Sequence, residues 1–118
     1  MKKKIEVEGI KIEDAEIIRT DFFEDYARRL RKNPRELEEY KKHIINRYNK
    51  TRDTGLFLDS LKIVAMAEGK ISGLAKAAKT ERSSVYRMLS KNANPSFHSV
   101  VSFVHNLGMD FRLSTVSK

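Results

Sequence analysis

Apolar residues recur at helical spacing along most of this chain, and the pattern predicts five or six helices. The clearest repeat follows Asn33-Pro34, and its apolar face contains Leu37, Tyr40, Ile44, Ile45 and Tyr48. Proline disfavours a helical conformation in the residue before it and suits the first turn of a helix. We therefore expect one helix to end at Asn33-Pro34 and the next to begin there.

Three further helices follow from the same kind of pattern. The first is capped by Thr20 or Asp21 and ends before Pro34, and the second runs from Leu56 to about Glu68. The third is capped by Ser96 and ends at Leu107, because Gly108 follows.

The two ends of the chain show a different pattern of apolar and polar residues. Apolar and polar residues alternate between Ile5 and Ile12 and again from Phe111 towards Val116, which is the spacing of a β-strand. The predicted fold is an all-α bundle of five to six helices, with room for short β-strands at both termini. We divide the chain into an N-terminal arm and helical pair, residues 1–54, and a second segment, residues 55–118.

Residues 71–89 predict two short helices joined by a turn, which is the helix-turn-helix arrangement. The apolar face of the first helix contains Leu74, Ala75 and Ala78, and that of the second contains Val85, Met88 and Leu89. The turn is Lys79-Thr80-Glu81. The outward face of the second helix holds Arg82, Ser83, Ser84, Tyr86 and Arg87.

These outward side chains offer hydrogen-bond donors and a flat ring at the spacing that a recognition helix uses in the major groove. Eight of the residues from Gly69 onward are basic and two are acidic, which accounts for +6 of the formal charge of +8. The lysines expected to neutralise phosphates are Lys70, Lys76, Lys79 and Lys91. The alternative is an ordinary two-helix corner with a solvated basic surface.

Lys79 occupies a turn position that commonly takes a left-handed backbone, which glycine adopts at little cost. A lysine in that conformation costs roughly 1 kcal/mol. It also adds a positive charge beside the expected path of the phosphates.

The composition leaves little support for catalysis or metal binding. Without cysteine there is no disulfide framework, thiolate nucleophile or zinc–sulfur site. His98 and His105 stand seven residues apart, and no carboxylate lies three or four residues from either, so no metal site is expected. No glycine-rich phosphate loop or Ser-His-Asp spacing stands out, and we expect neither a cofactor nor an enzyme.

Other features of the sequence bear on location and on the helical faces. A run of about 18 apolar residues is absent, as is a secretory signal, so we expect a cytoplasmic protein with no membrane span.

Five aromatic residues could stack on single-stranded nucleic acid, but their helical spacing favours a core or a protein interface: Phe22, Phe23, Tyr26, Tyr40 and Tyr48. Charged residues of the second helix are expected to form solvated ion pairs: Glu36, Glu38 and Glu39 with Arg35, Lys41 and Lys42.

Several short motifs carry a family resemblance: Phe57-Leu58 with Leu61 and Ala65, Leu74-Ala75, the run 82–90, Asn94-Pro95-Ser96-Phe97, and Leu107-Gly108. Through them the chain from Thr20 to Leu113 resembles the Xre-like helix-turn-helix antidote proteins of toxin–antitoxin addiction modules. It departs from that pattern at the turn, where Lys79 replaces the usual glycine, Thr80 an aliphatic residue, and Glu81 a serine or threonine cap.

The resemblance implies an antitoxin that neutralises a RelE/ParE-type toxin and represses their shared operon as a homodimer on double-stranded operator DNA. The family is similar to phage repressors of the lambda type in its DNA-binding part. That similarity implies base contacts by Arg82, Ser83 and Arg87, with Ser84 and Tyr86 near bases or backbone. A stand-alone helix-turn-helix regulator and a protein-interaction module without DNA binding are the two alternatives.

The remaining segments have roles under this interpretation. The region before Gly55 is expected to bind the toxin, because the helix-turn-helix bundle accounts for DNA recognition without it. The segment Phe111 to Val116 is the expected dimer interface, since alternating apolar residues favour a pairing edge.

Overall fold

The fold is an all-α helical bundle, as the sequence predicts. A computed structural model describes the backbone of residues 12–116 and the side chains of residues 22–116. Its helices are α1 (Ile12–Arg31), α2 (Pro34–Thr51), α3 (Thr54–Ala67), α4 (Ile71–Ala77), α5 (Arg82–Met88) and α6 (Phe97–Asn106). Within residues 12–116 no β-strand forms.

The first helix begins earlier than the sequence pattern predicts. It begins at Ile12, so Thr20 and Asp21 lie inside it and the prediction that either residue caps it is wrong. The stretch between Ile12 and Thr20 contains no glycine or proline, and its alanine, glutamate and arginine are good helix formers, so nothing local stops the helix. Residues 5–11 of the predicted N-terminal strand lie outside the described residues.

Side-chain caps separate α1, α2 and α3. The Asn33 side chain accepts a hydrogen bond from the Glu36 backbone N–H (3.3 Å), and Asp53 accepts one from the Leu56 N–H (3.0 Å). Only Arg52 and Asp53 stand between α2 and α3. Arg52 adopts a left-handed conformation (φ 58°), which lets the chain reverse within two residues.

Helix α3 is the central element of the core. Its residues Leu58, Leu61 and Val64 are buried against the later helices, together with Val85 and Phe103. The opposite side of α3 packs on α1, where the buried residues are Ala27, Leu30, Ile63 and Ala67. Because α3 packs on both sides, it fixes α1 and α2 relative to the helices that follow.

A cluster of basic side chains converges on the C-terminal end of α3. Arg31 of α1 donates hydrogen bonds to the carbonyl oxygens of Met66 (2.6 Å) and Ala67 (3.1 Å). Lys41 of α2 forms an ion pair with Glu68 and is only 7% exposed. The prediction that Lys41 forms a solvated pair along its own helix is therefore wrong, because its partner comes from another part of the fold.

The C-terminal segment after α6 is not a strand. Residues 109–116 have no regular secondary structure, so the predicted terminal β-strand is wrong for the isolated chain. A strand needs a neighbour to satisfy its backbone groups, and no other segment among the described residues is extended beside it. The division of the chain at residues 54 and 55 stays a prediction.

Gly55 lies where the start of α3 comes close to the backbone of the turn after α5. A Cβ added there would lie 2.6 Å from the backbone oxygen of Lys91, so the Gly55→Ala variant must displace that turn. We expect it to lower the free energy of unfolding by about 1–3 kcal/mol, measured by urea denaturation. The matched control is Gly73→Ala, because that helical position has open space around it and should gain roughly 0.5–1 kcal/mol. Equal effects at both positions would contradict the close approach.

Candidate nucleic-acid interface

Two short helices, α4 and α5, pack against each other and bury most of the apolar residues that the sequence pattern predicts. The prediction is wrong for Ala78, which is exposed because α4 ends at Ala77, and Met88 is only half-buried. Leu74 and Ala75 of α4 are buried, as is Val85 of α5. Leu89, directly after α5, is also buried in the same core. The inner faces are therefore fixed, and what each helix shows to solvent is determined by its remaining residues.

The turn between these helices has the left-handed backbone predicted for Lys79, whose φ is 56°. The Lys79 N–H donates to the Lys76 carbonyl (3.1 Å) and the Thr80 N–H to the Ala75 carbonyl (2.9 Å). These two bonds form a Schellman motif. Glu81 begins α5 and makes no side-chain capping bond.

The outward face of α5 is mostly exposed. Arg82, Ser83 and Arg87 are exposed, whereas Ser84 and Tyr86 are half-buried. The Arg87 Nη2 donates to the Ser84 hydroxyl (3.0 Å), which holds the guanidinium along the helix surface. Tyr86 packs partly against the core, so only part of its ring is open to solvent.

Two parts of this surface escaped the sequence analysis. Ser72, exposed at the start of α4, accepts a hydrogen bond from Arg82 Nη1 (2.6 Å) and so orients that guanidinium. In addition, Arg87 lines a shallow depression of about 370 Å³ with the polar turn that contains Ser90, Asn92 and Asn94. The sequence separation of Ser72 and Arg82 could have revealed their contact, since two short helices joined by a tight turn bring those positions together.

All four predicted phosphate-binding lysines are exposed: Lys70, Lys76, Lys79 and Lys91. Among the ion pairs of the described residues, none involves Lys76, Lys79 or Lys91, and none involves either arginine of α5. Lys70 differs, because its Nζ donates to the Asn106 carbonyl (3.1 Å) and lies 3.6 Å from Glu68. Apart from Lys70, these exposed cations on and near α5 therefore carry positive charge that forms no ion pair within the part of the chain that the structure describes.

Replacing Lys79 by glycine should raise stability and weaken binding to any polyanion. Gly69 and Gly108 occupy the equivalent position after α3 and α6, with φ of 65° and 78°. The Lys79→Gly variant should gain about 0.5–1 kcal/mol in the free energy of unfolding, because glycine adopts this conformation without strain. The slope of log affinity for duplex DNA against log salt should fall by about 1. A lower melting temperature would contradict this interpretation of the turn.

The aromatic residues of α1 and α2 pack together. The ring centroids of Tyr26 and Tyr40 lie 5.3 Å apart at 86°, and Phe22, half exposed, stacks on Tyr26 at 6.1 Å. Burial raises the pKa of the Tyr40 hydroxyl. This packing favours the core or interface interpretation of these aromatic residues over stacking on single strands.

The described residues contain neither a candidate metal site nor a membrane-spanning helix. In that part of the chain, no three His, Asp or Glu residues stand together in a way that could hold a metal ion. None of the described helices combines the length and the apolar character that crossing a membrane requires.

Comparison with known proteins gives one match. The model of a family described as "probable addiction module antidote protein" matches residues 24–115, which is most of the chain and includes α2 to α6. No curated protein and no solved structure matches significantly. Because the matched part exceeds half of the chain, this protein belongs to the family of probable addiction module antidote proteins.

Proposed function

We propose that this protein is the antitoxin of a type II module, which neutralises a RelE/ParE-type toxin and represses its own operon by binding operator DNA as a homodimer. The antidote family implies a toxin partner in general terms. The Xre-like, lambda-repressor-like helix-turn-helix is our interpretation of α4 and α5. Nothing in the proposal requires a cofactor or catalysis, and we propose that the protein acts in the cytoplasm.

The main observation in favour of DNA binding is the contrast between the two faces of α5. Val85 is fully buried on one face, while Arg82, Ser83 and Arg87 are exposed on the other, and the arginines form no ion pair with any described residue. A helix that is anchored on its inner side and presents arginine and serine outward suits base edges and phosphates. The positive charge of the lysines around it favours a polyanion.

The toxin is assigned to the region before Gly55. A RelE/ParE-type toxin is usually basic, and this region contains acids that would suit it: Glu6, Glu8, Glu13, Asp14, Glu16, Asp21, Glu24 and Asp25. Phe22, half exposed beside Tyr26, adds an apolar contact on α1. Charge would attract the partner, and the aromatic surface would hold it.

The test is co-expression with the open reading frame beside the gene. The neighbour should arrest growth when expressed alone, and the full chain should restore growth. Deleting residues 1–11 leaves α1 whole, so this variant should lose some or all toxin neutralisation while it still protects the upstream promoter in a footprint. Full rescue by the deletion variant would exclude the arm as the toxin site.

Two other results would select the alternatives. A protein that protects the promoter although neither neighbouring gene is toxic is a stand-alone regulator. A protein that neutralises a toxic neighbour but shows no salt-dependent binding to promoter DNA is a protein-interaction module.

A further inference from the structure

The segment that follows α6 has two different faces. Met109, Phe111 and Leu113 alternate with Asp110 and Arg112, so an extended backbone places the apolar residues on one side and the charges on the other. The exposed fraction rises along the apolar side, from 8% at Met109 to 44% at Phe111 and 85% at Leu113. The segment therefore begins on the body of the protein and its apolar side becomes progressively uncovered.

An open groove of about 400 Å³ lies beside this segment. Its apolar lining comes from α2, α3, α6 and the start of the segment: Ile45, Tyr48, Phe57, Val104 and Met109. Leu113 borders the groove but leaves it unfilled, since that side chain is mostly in solvent. An apolar ridge thus lies next to a groove that is mostly apolar, with Asn49 and Arg52 as polar lining residues.

The surface around the ridge is also apolar. Phe97, 67% exposed at the start of α6, packs edge-on against Phe111 with ring centroids 5.3 Å apart. The last backbone–backbone hydrogen bond joins the Met109 N–H to the Val104 carbonyl (3.0 Å), and none follows it among the described residues. The segment therefore presents backbone groups that another extended segment could pair with.

We propose that a second copy of this chain covers this surface, with the two segments paired antiparallel about a two-fold axis at Phe111. The proposal deepens the homodimer in the proposed function by naming its interface and its register. Leu113 of each copy would then lie opposite Met109 of the other copy. There it would enter the groove of that other copy.

Charge selects this register. With the axis at Phe111, Asp110 of each copy faces Arg112 of the other, which gives two attractive cross-strand pairs. An axis at Arg112 or at Asp110 would place like charges directly opposite each other. In the single chain the same two side chains form an exposed ion pair (3.0 Å) that can be exchanged for the intermolecular pairs at little cost.

The shape of the surface favours a second copy over a foreign protein. A two-fold interface uses the same patch on both partners, so it needs a ridge and its complementary groove side by side. Both are present here, and the charges are complementary to themselves in one register. Binding of a foreign protein would not require a ridge, a complementary groove and self-complementary charges on the same surface.

The chain contains no cysteine, so single-cysteine variants report on the register directly. Phe111→Cys should form a disulfide-linked dimer under mild oxidation, because paired Cα atoms across antiparallel strands lie about 4.5–5.5 Å apart. Leu113→Cys should not, since the two copies of that residue would be roughly 14 Å apart along the strands. Crosslinking at residue 113 instead of 111 would overturn the register.

Charge reversal tests the pairing in solution. Asp110→Arg and Arg112→Asp should each weaken the dimer roughly tenfold by light scattering or analytical ultracentrifugation, and the double swap should restore it. The matched control is Arg28→Asp, which breaks another exposed ion pair, with Asp25 (2.9 Å) on α1, and should leave the dimer unchanged.

Leu113→Asp gives the largest loss, at least 100-fold in dimer affinity, while the helical circular dichroism of the chain stays the same. All these measurements are made without DNA or toxin, so they succeed or fail independently of operator binding. A wild-type chain that remains monomeric at 100 µM, or a dimer that is indifferent to Leu113→Asp, would overturn the proposal.

Discussion

Replacing Lys41 by methionine should lower the free energy of unfolding by about 2–4 kcal/mol. Methionine keeps the length of the apolar stem but removes the charge, so the Glu68 carboxylate loses its buried partner and keeps only Lys70 at 3.6 Å. Removing one member of a buried pair is costly because the other charge stays desolvated. The melting temperature should fall by about 10 °C, measured by calorimetry or circular dichroism.

The double variant Lys41→Met with Glu68→Gln distinguishes the stability contributed by the ion pair from the cost of leaving one charge buried without its partner. It should recover most of the loss, because a buried ion pair as a whole adds little net stability over neutral groups of similar shape. Lys42→Met is the matched control, since Lys42 is the exposed neighbour on the same helix. A double variant that is less stable than Lys41→Met alone would contradict the pairing.

Replacing both Arg82 and Arg87 by alanine should abolish specific operator binding. Each arginine that contacts a guanine contributes about 1–3 kcal/mol of discrimination, so each single variant should lose about 10- to 100-fold in affinity. The measurement is a footprint and a binding titration on the upstream promoter at two salt concentrations. Stability should not change, because both side chains are exposed and their hydrogen bonds to other described residues are to serine hydroxyls.

A set of controls distinguishes recognition from general electrostatics. Arg35→Ala removes an exposed arginine on α2 and should leave the footprint intact. Ser72→Ala should weaken binding by a smaller factor than Arg82→Ala, because Ser72 only orients that guanidinium. If the double arginine variant protects the promoter as the wild type does, α5 is not the recognition helix.

The sequence predicts best those features that depend on neighbouring residues. The end of α1 and the start of α2 follow from Pro34, and the start of α6 follows from Ser96, whose side chain accepts a hydrogen bond from the Ser99 N–H (3.1 Å). The left-handed turn at Lys79 follows from the spacing of the two helices around it. Each depends on a few consecutive residues, which is why a single sequence suffices.

The features that the sequence pattern misses depend on distant residues. The burial of Lys41 requires Glu68, and the orientation of Arg82 requires Ser72, which stands on a different helix. The early start of α1 was not predicted because threonine and aspartate, here Thr20 and Asp21, occur both as N-caps and on the exposed surface of helices. The spacing of apolar residues does not distinguish a capping position from an exposed position within a helix.

The position of α3 limits how this protein can change its partners. Its residues Ile63 and Ala67 are buried against Ala27 and Leu30 of α1, and Arg31 holds the carbonyl groups at its end. A recombination event that joined residues 55–118 to a foreign N-terminal half would uncover that apolar surface and release those carbonyl groups. New toxin specificity should therefore arise by substitution at exposed positions of α1 and α2, and not by exchange of whole segments between related genes.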